Sequence, residues 1–310
     1  MKRRKSREER IEMISIDTPA EVVGDAVRPS SADVSLRDPR TAALACLGVY
    51  LVVSGFTMVI SHPWLAVAHA AGVVVAVWAL LDRRPIARTV GDFLPLFVAP
   101  MLYGEVPLLI GALGSSYHDV RVQSWELAIF GQHPSRVLAT FMPNPAWSEL
   151  LHMGYLAYYP AIFVPPLLLY VRGERRGYAQ TVLALTVAYL ACWVIFAVAP
   201  VEGPRYLWTP NAPDGPIRRL TLALLAAGSS RGAAFPSSHM AISVVQTVLA
   251  FRWQPKMGAI LALVAVLVGL GAVYGGFHYG VDIIAGAVLG VGVGLAVVKA
   301  GPPVASQPSG

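Results

Sequence analysis

His278 and Asp282, in "YGGFHYGVDIIAG" (274–286), stand four residues apart. In a helix that spacing places both on one face, one turn from each other. A carboxylate so placed accepts the imidazole N–H, fixes the tautomer and stabilises the imidazolium, as an orienting acid does beside a nucleophile. A plain structural hydrogen bond is the other reading of such a pair. A second cluster, "RGAAFPSSHMAISVVQTVLAF" (231–251), sets Arg231, Pro236, Ser237, Ser238 and His239 ahead of an apolar run. Pro236 suits a helix's first turn, where its missing N–H costs nothing. The N–H groups of Ser237, Ser238 and His239 then form an anion seat at a positive helix end, with an acid beside it. Read alone, the stretch is equally a capped helix whose histidine meets headgroups. A third segment, "VEGPRYL" (201–207), adds Arg205 and Tyr206. Two histidines and an aspartate could furnish three zinc ligands, but the arginines beside them repel a divalent cation and favour an anionic group. No metal and no cofactor is expected. His118 and Asp119 form a further pair, read as part of a surface loop.

The elements that must position these groups are membrane spans. Of the 310 residues 55% are hydrophobic and only 14% charged, where a soluble domain carries about a quarter charged. The apolar residues fall in runs close to the ~20 needed to cross a hydrocarbon core. Eight spans are read, at 41–61, 63–81, 91–113, 147–171, 178–199, 235–251, 257–274 and 280–299, broken at "HP", "DRRPIAR", "RGERRG" and "RWQPK". With the N-terminus in the cytoplasm, the loops at 82–88, 172–177 and 252–256 lie inside with three, three and two basic residues. The short outer loops hold none, and all three chemical segments share the outer face. Residues 1–40, with nine of the 24 basic residues, read as a disordered basic cytoplasmic tail. Residues 300–310 read as a second cytoplasmic tail. The net charge of +6 therefore belongs to lipid headgroups, not to nucleic acid. The segment 115–146 is too polar to span; Trp125, Leu127, Ile129 and Phe130 alternate with Glu126 and Arg121 as in a short interfacial helix. Gly286, Gly290 and Gly294 make a four-residue stripe for close helix packing. Cys46 and Cys192 sit in different apolar runs, so no disulfide is expected.

At the chemical segments the chain resembles the type 2 phosphatidic acid phosphatase superfamily. Its motif Pro-Ser-Gly-His is matched by Pro236-Ser237-Ser238-His239, with Ser238 in place of glycine. Its His-x3-Asp is matched by His278 and Asp282. The motif Lys-x6-Arg-Pro is only echoed: Arg205 stands for the arginine, Tyr206 follows it, and Val198 holds the lysine position. Ala272 occupies the place, six before the histidine, where the family's hydrolases carry arginine. That loss resembles the lipid phosphotransferase branch of inositol phosphorylceramide and sphingomyelin synthases, as do "FHYGVDIIAG" and "WELAIFGQHPS" (125–135). The resemblance covers about 91–299. It implies an all-α polytopic bundle with a six-helix catalytic core at 91–299 and two extra helices at 41–90.

The activity so implied is transfer or hydrolysis of a lipid phosphoryl group through a phosphohistidine. His278 would be the nucleophile, oriented by Asp282, and His239 the acid for the leaving alkoxide. Arg205, Arg231, Ser237, Ser238, Tyr206, Tyr274 and Tyr279 would bind phosphate. A phospholipid donor, and a lipid hydroxyl or water as acceptor, are the implied partners. The expected setting is a bacterial inner (plasma) membrane, with both termini cytoplasmic. A plain phosphohydrolase of phosphatidic acid or isoprenyl (pyro)phosphate is the first alternative. A transporter of a phosphorylated solute is the second, and it should show two matching halves with broken helices, which the sequence lacks.

Overall fold

The structure, a computed structural model, describes residues 35–209 and 211–300. Most of the basic tail expected at 1–40 and all but the first residue of that expected at 300–310 lie outside them. The described chain is helical, with α1 (Pro39–Met58) and α2 (Pro63–Leu81) as an antiparallel pair. Next come α3 (Pro85–Met101), a 3-10 turn (Leu102–Glu105) and α4 (Val106–Leu113). Three short helices follow: α5 (Asp119–Phe130), α6 (Pro134–Phe141) and α7 (Pro145–Leu156), the last running into α8 (Tyr158–Val171). The remainder is α9 (Arg175–Val198), α10 (Pro216–Gly228), α11 (Ser238–Trp253), α12 (Pro255–Tyr274) and α13 (Gly280–Ala300).

Proline sets most of these starts. Pro39, Pro63, Pro85, Pro134, Pro145, Pro216 and Pro255 each open a helix, where a fixed φ helps and the absent N–H is not missed. Inside α3, Pro100 has the opposite effect. It removes a donor from the ladder, and the chain tightens into the 3-10 turn at 102–105 before α4 resumes.

The eight expected spans each coincide with a helix or helix pair. Six are long and apolar enough to cross a membrane: α1, α2, α3–α4, α9, α12 and α13. The pair α7–α8 bends by 41° at its break. Helix α11 has 16 residues, a rise of about 24 Å, so it is shorter than the ~30 Å hydrocarbon core. Large apolar side chains such as Phe56, Ile60 and Val171 are exposed, as lipid-facing positions are. The molecule is an all-α polytopic membrane bundle.

Helix α9 is the axis, packed by α1, α3, α4, α8, α11 and α13, and Trp193 near its C-terminal end donates to the Ala99 carbonyl at 2.8 Å. The glycine stripe of α13 lies on α11. A Cβ at Gly286 would meet the Ser237 carbonyl oxygen and Met240, one at Gly290 would meet Val244, and one at Gly294 would meet Val248. Lipid is as apolar as a leucine side chain, so this close approach, not water exclusion, holds the pair. Arg40 clasps the first three helices at their other end, donating to Asp92 at 2.8 Å and to the Ala79 carbonyl at 3.0 Å.

Helix α10 lies between the expected spans 178–199 and 235–251, where the sequence marks no helix. The Glu149 carboxylate of α7 caps it, accepting from the N–H groups of Ile217 at 2.9 Å and Arg218 at 3.3 Å.

Candidate active site

Three segments meet at one end of the bundle. Val201 and Ala233 form a parallel β-bridge, with Val201 N–H donating to the Gly232 carbonyl and Ala234 N–H to the Val201 carbonyl. His278 then joins the bridge, its Nδ1–H donating to the Ala234 carbonyl at 2.9 Å. The "VEGPRYL", "RGAAFPSSH" and "FHYGVD" segments are thus stitched by main-chain bonds, and His239 and His278 lie with ring centroids 5.8 Å apart. Both rings line one small cleft together with Arg205, Tyr206, Tyr103, Tyr155, Glu202 and Ser229.

His278 does not share a helical face with Asp282, because α13 starts only at Gly280. The closer acceptor for its Nδ1 is the Ala234 carbonyl; the Asp282 carboxylate is 3.4 Å away. Asp282 mainly caps the helix, accepting from Tyr279 N–H at 2.7 Å. A carboxylate in a first turn is stabilised by the orphan N–H groups there. Since a carbonyl only accepts, Nδ1 carries a proton, which makes Nε2 the nitrogen that bears the lone pair in the neutral ring.

The anion seat differs from expectation by one residue. Ser237 is the N-cap and α11 begins at Ser238, leaving Pro236, after a cis peptide bond, outside the helix. Serine is a strong cap because its hydroxyl accepts an orphan N–H, here that of Met240 at 3.3 Å. The Ser237 N–H is likewise committed, donating to the Asp282 carbonyl at 3.0 Å. The main-chain N–H groups of Ser238 and His239 have no acceptor among the described residues. The seat therefore holds two free amides, not three.

His239 is held among aromatic rings. The Tyr155 hydroxyl is 3.0 Å from its Nε2, and the Tyr155 and Tyr158 rings lie 4.8 and 4.3 Å away. Its Nδ1 has no partner among the described residues. Arg205 donates to Ser229 Oγ at 2.6 Å and to the Leu225 carbonyl at 3.3 Å, so α10 anchors it.

Five residues assigned to phosphate binding do not line this cleft: Ser237 and Ser238, at the start of α11, and Arg231, Tyr274 and Tyr279. Arg231 is 59% exposed and pairs with Glu202 at 2.6 Å, its guanidinium above the Tyr206 ring. The neighbouring Glu202 pushes the guanidinium's pKa further up, so it remains a cation. Tyr274 points elsewhere and donates to the Met142 carbonyl at 3.0 Å. Tyr279 donates to Asp119 Oδ1 at 3.2 Å and accepts from Gln123 Nε2 at 3.0 Å. Burial above all, and Asp119 with it, pushes the Tyr279 phenol up, so it keeps the proton it donates. Adjacency to a motif misled here, because successive side chains leave a turn in different directions.

Helix α5 is more than an interfacial float. Trp125, Leu127, Ile129 and Phe130 are exposed as expected, yet Glu126 is 0% exposed. Its carboxylate accepts from Gly280 N–H at 2.6 Å and from His133 Nδ1 at 2.8 Å. One face of α5 also carries Asp119, which accepts from the N–H groups of Glu202 and Gly203 at 2.9 and 3.0 Å. Asp119 thus holds the loop that carries Arg205, and Glu126 holds the start of α13. The spacing of seven between them was the available signal, two turns along one face. Tyr155, Tyr103 and Ser229 had no such signal, being brought in from distant segments.

The family model described as the PAP2 superfamily matches residues 120–296, more than half of the chain. No curated protein and no solved structure matches it.

Proposed function

Because the chain belongs to the PAP2 superfamily, we propose that it is a membrane-embedded lipid phosphotransferase or phosphatase working through a phosphohistidine on His278. The observation that carries this reading is the pair of imidazoles 5.8 Å apart across one cleft that Arg205 also lines, beside the start of α11, where the amides of Ser238 and His239 are free of acceptors among the described residues.

The lone pair of His278 Nε2 attacks phosphorus while the P–O bond to the lipid breaks. His239, acting as the imidazolium with its Nε2–H donating to the Tyr155 hydroxyl oxygen, hands its Nδ1 proton to the departing alkoxide and becomes neutral. Arg205 and the two amides hold the equatorial oxygens as charge gathers on them. In the second half, water or a lipid hydroxyl attacks the phosphohistidine, His239 takes the proton, and the P–N bond breaks to restore His278. Atoms and charge balance without a metal.

Transfer to a lipid alcohol is the finer reading. The position six before His278 is Ala272, fully buried in an apolar cluster with Tyr155, Leu225 and Phe277, so no cation can stand there. By the charge of its loops, the cleft opens on the non-cytoplasmic side of a plasma membrane, with both termini inside. The eight-span count and the division into a helix pair at 41–90 and a six-helix core at 91–299 belong to the same proposal.

The test is purified protein in detergent with labelled phospholipids and lipid phosphates, in excess EDTA, with and without a diacylglycerol- or ceramide-like acceptor. Release or transfer of phosphate, an acid-labile phosphoenzyme, and loss of both in His278→Ala are expected. Turnover that vanishes with the chelator and returns with zinc would overturn the mechanism. Product masses separate hydrolysis from transfer.

A further inference from the structure

A second histidine–carboxylate pair lies outside the segment matched by the family. His69 of α2 and Glu105 of the 3-10 turn meet at 2.8 Å between Nε2 and Oε2, and they are 5% and 6% exposed. Ionisable groups within spans are costly and mark functional sites by default. Glu105 forms the floor of an apolar groove of about 470 Å³, walled by Leu51, Trp64, Leu65, Val98, Met101 and Leu108. Its Oε1 is buried without a partner among the described residues. Tyr50 of α1 approaches the same carboxylate from outside the groove's lining.

Charge bookkeeping narrows the ligand. His69 Nδ1 lies 2.7 Å from the Leu65 carbonyl, which can only accept, so that nitrogen carries a proton. The short Nε2–Oε2 contact then holds one further proton, and the pair is net neutral wherever that proton sits. An ammonium or phosphate bound here would leave an unbalanced charge in a low-dielectric groove. The open group that the groove offers is a lone acceptor, Glu105 Oε1. A hydroxyl donates to such an acceptor without bringing a charge, and apolar walls suit a hydrocarbon chain. We propose that this groove is a second lipid site for an uncharged lipid alcohol, whose hydroxyl donates to Glu105 Oε1.

The 3-10 turn gives the groove a second neighbour. Tyr103, two residues before Glu105, lines the catalytic cleft, and its hydroxyl accepts from Ser230 N–H at 3.0 Å. The turn thus has one side in each site. A lipid alcohol is also what hydrolysis of a lipid phosphate releases and what transfer consumes. The binding claim itself rests on the groove and not on the catalytic reading.

The experiment is photolabelling of the full chain in liposomes with a diazirine-bearing diacylglycerol, alongside phosphatidylcholine and phosphatidic acid carrying the same chain. Saturable labelling of α2 and residues 101–108 by the diacylglycerol is expected, with unlabelled diacylglycerol competing and the two charged-head lipids failing to compete. Ala68→Trp and Gly104→Phe fill the groove from exposed positions that line it and should abolish this labelling. Glu105→Leu should weaken it roughly tenfold or more, the loss expected for one hydrogen bond to a charged group. His278→Ala should label like wild type, so an inactive catalytic centre and an empty groove give separate readouts. Equal labelling by all three lipids, or wild-type labelling in Ala68→Trp, overturns the proposal and leaves the pair as a clasp between helices.

Discussion

The two buried histidine–carboxylate pairs are alike in chemistry and opposite in setting. His278 and Asp282 are four apart in sequence, and His69 and Glu105 are 36 apart. Each carboxylate keeps one oxygen without a partner among the described residues. Asp282 is 0% exposed, and its acid backs the Tyr279 turn and the His278 ring. Glu105 opens onto a groove. A sealed carboxylate can position; one that lines a cavity can also bind. Burial alone does not distinguish the two, and the adjoining space does.

The sharpest break in the comparison is His278→Ala against His69→Ala. The first should cut phosphoryl turnover by roughly 10⁴-fold or more and remove the phosphoenzyme, as loss of a nucleophile does. The second should leave an acid-labile phosphoenzyme intact, measured by labelled-phosphate trapping. His239→Ala should cost about 10²–10⁴-fold, with a steeper dependence on leaving-group pKa, read from a series of aryl and alkyl phosphates. A flat series would remove His239 from the acid role. Glu126→Gln tests positioning at the nucleophile's turn. It weakens a bond worth about 1.5–3 kcal/mol when charged, so the melting temperature in detergent should fall and activity with it, while the leaving-group dependence stays unchanged. The smallest effect belongs to Ala68→Trp. With water as acceptor its turnover should stay within about twofold of wild type, as for a surface substitution, and a larger loss would show that the groove serves hydrolysis itself.

Much of the frame was legible because prolines and basic loops punctuate apolar runs. "HP", "DRRP" and "RWQP" each end in the proline that opens a helix. Helix α10 was not legible, since its start depends on a cap from Glu149, far back in the chain. At the site, short motifs announced His239, His278 and Asp282, and the structure gathers them. It does not gather Arg231, Tyr274 or Tyr279 into the cleft, where a partner in hand, Glu202, Met142 or Asp119, claims each side chain. Tyr155 and Glu105 lay beyond reach for a simpler reason. A single tyrosine or glutamate in an apolar run carries no mark of which distant helix it will face.

Gly286 has a consequence for every turnover. Its missing side chain lets the backbone of α13 rest against the Ser237 carbonyl, while Ser237 N–H reaches back to Asp282. The proposed phosphate cradle and the turn that carries His278 are therefore joined through direct backbone contact. Even a single methyl at 286 would act as a shim, lifting the cradle away from the attacking nitrogen without touching either imidazole.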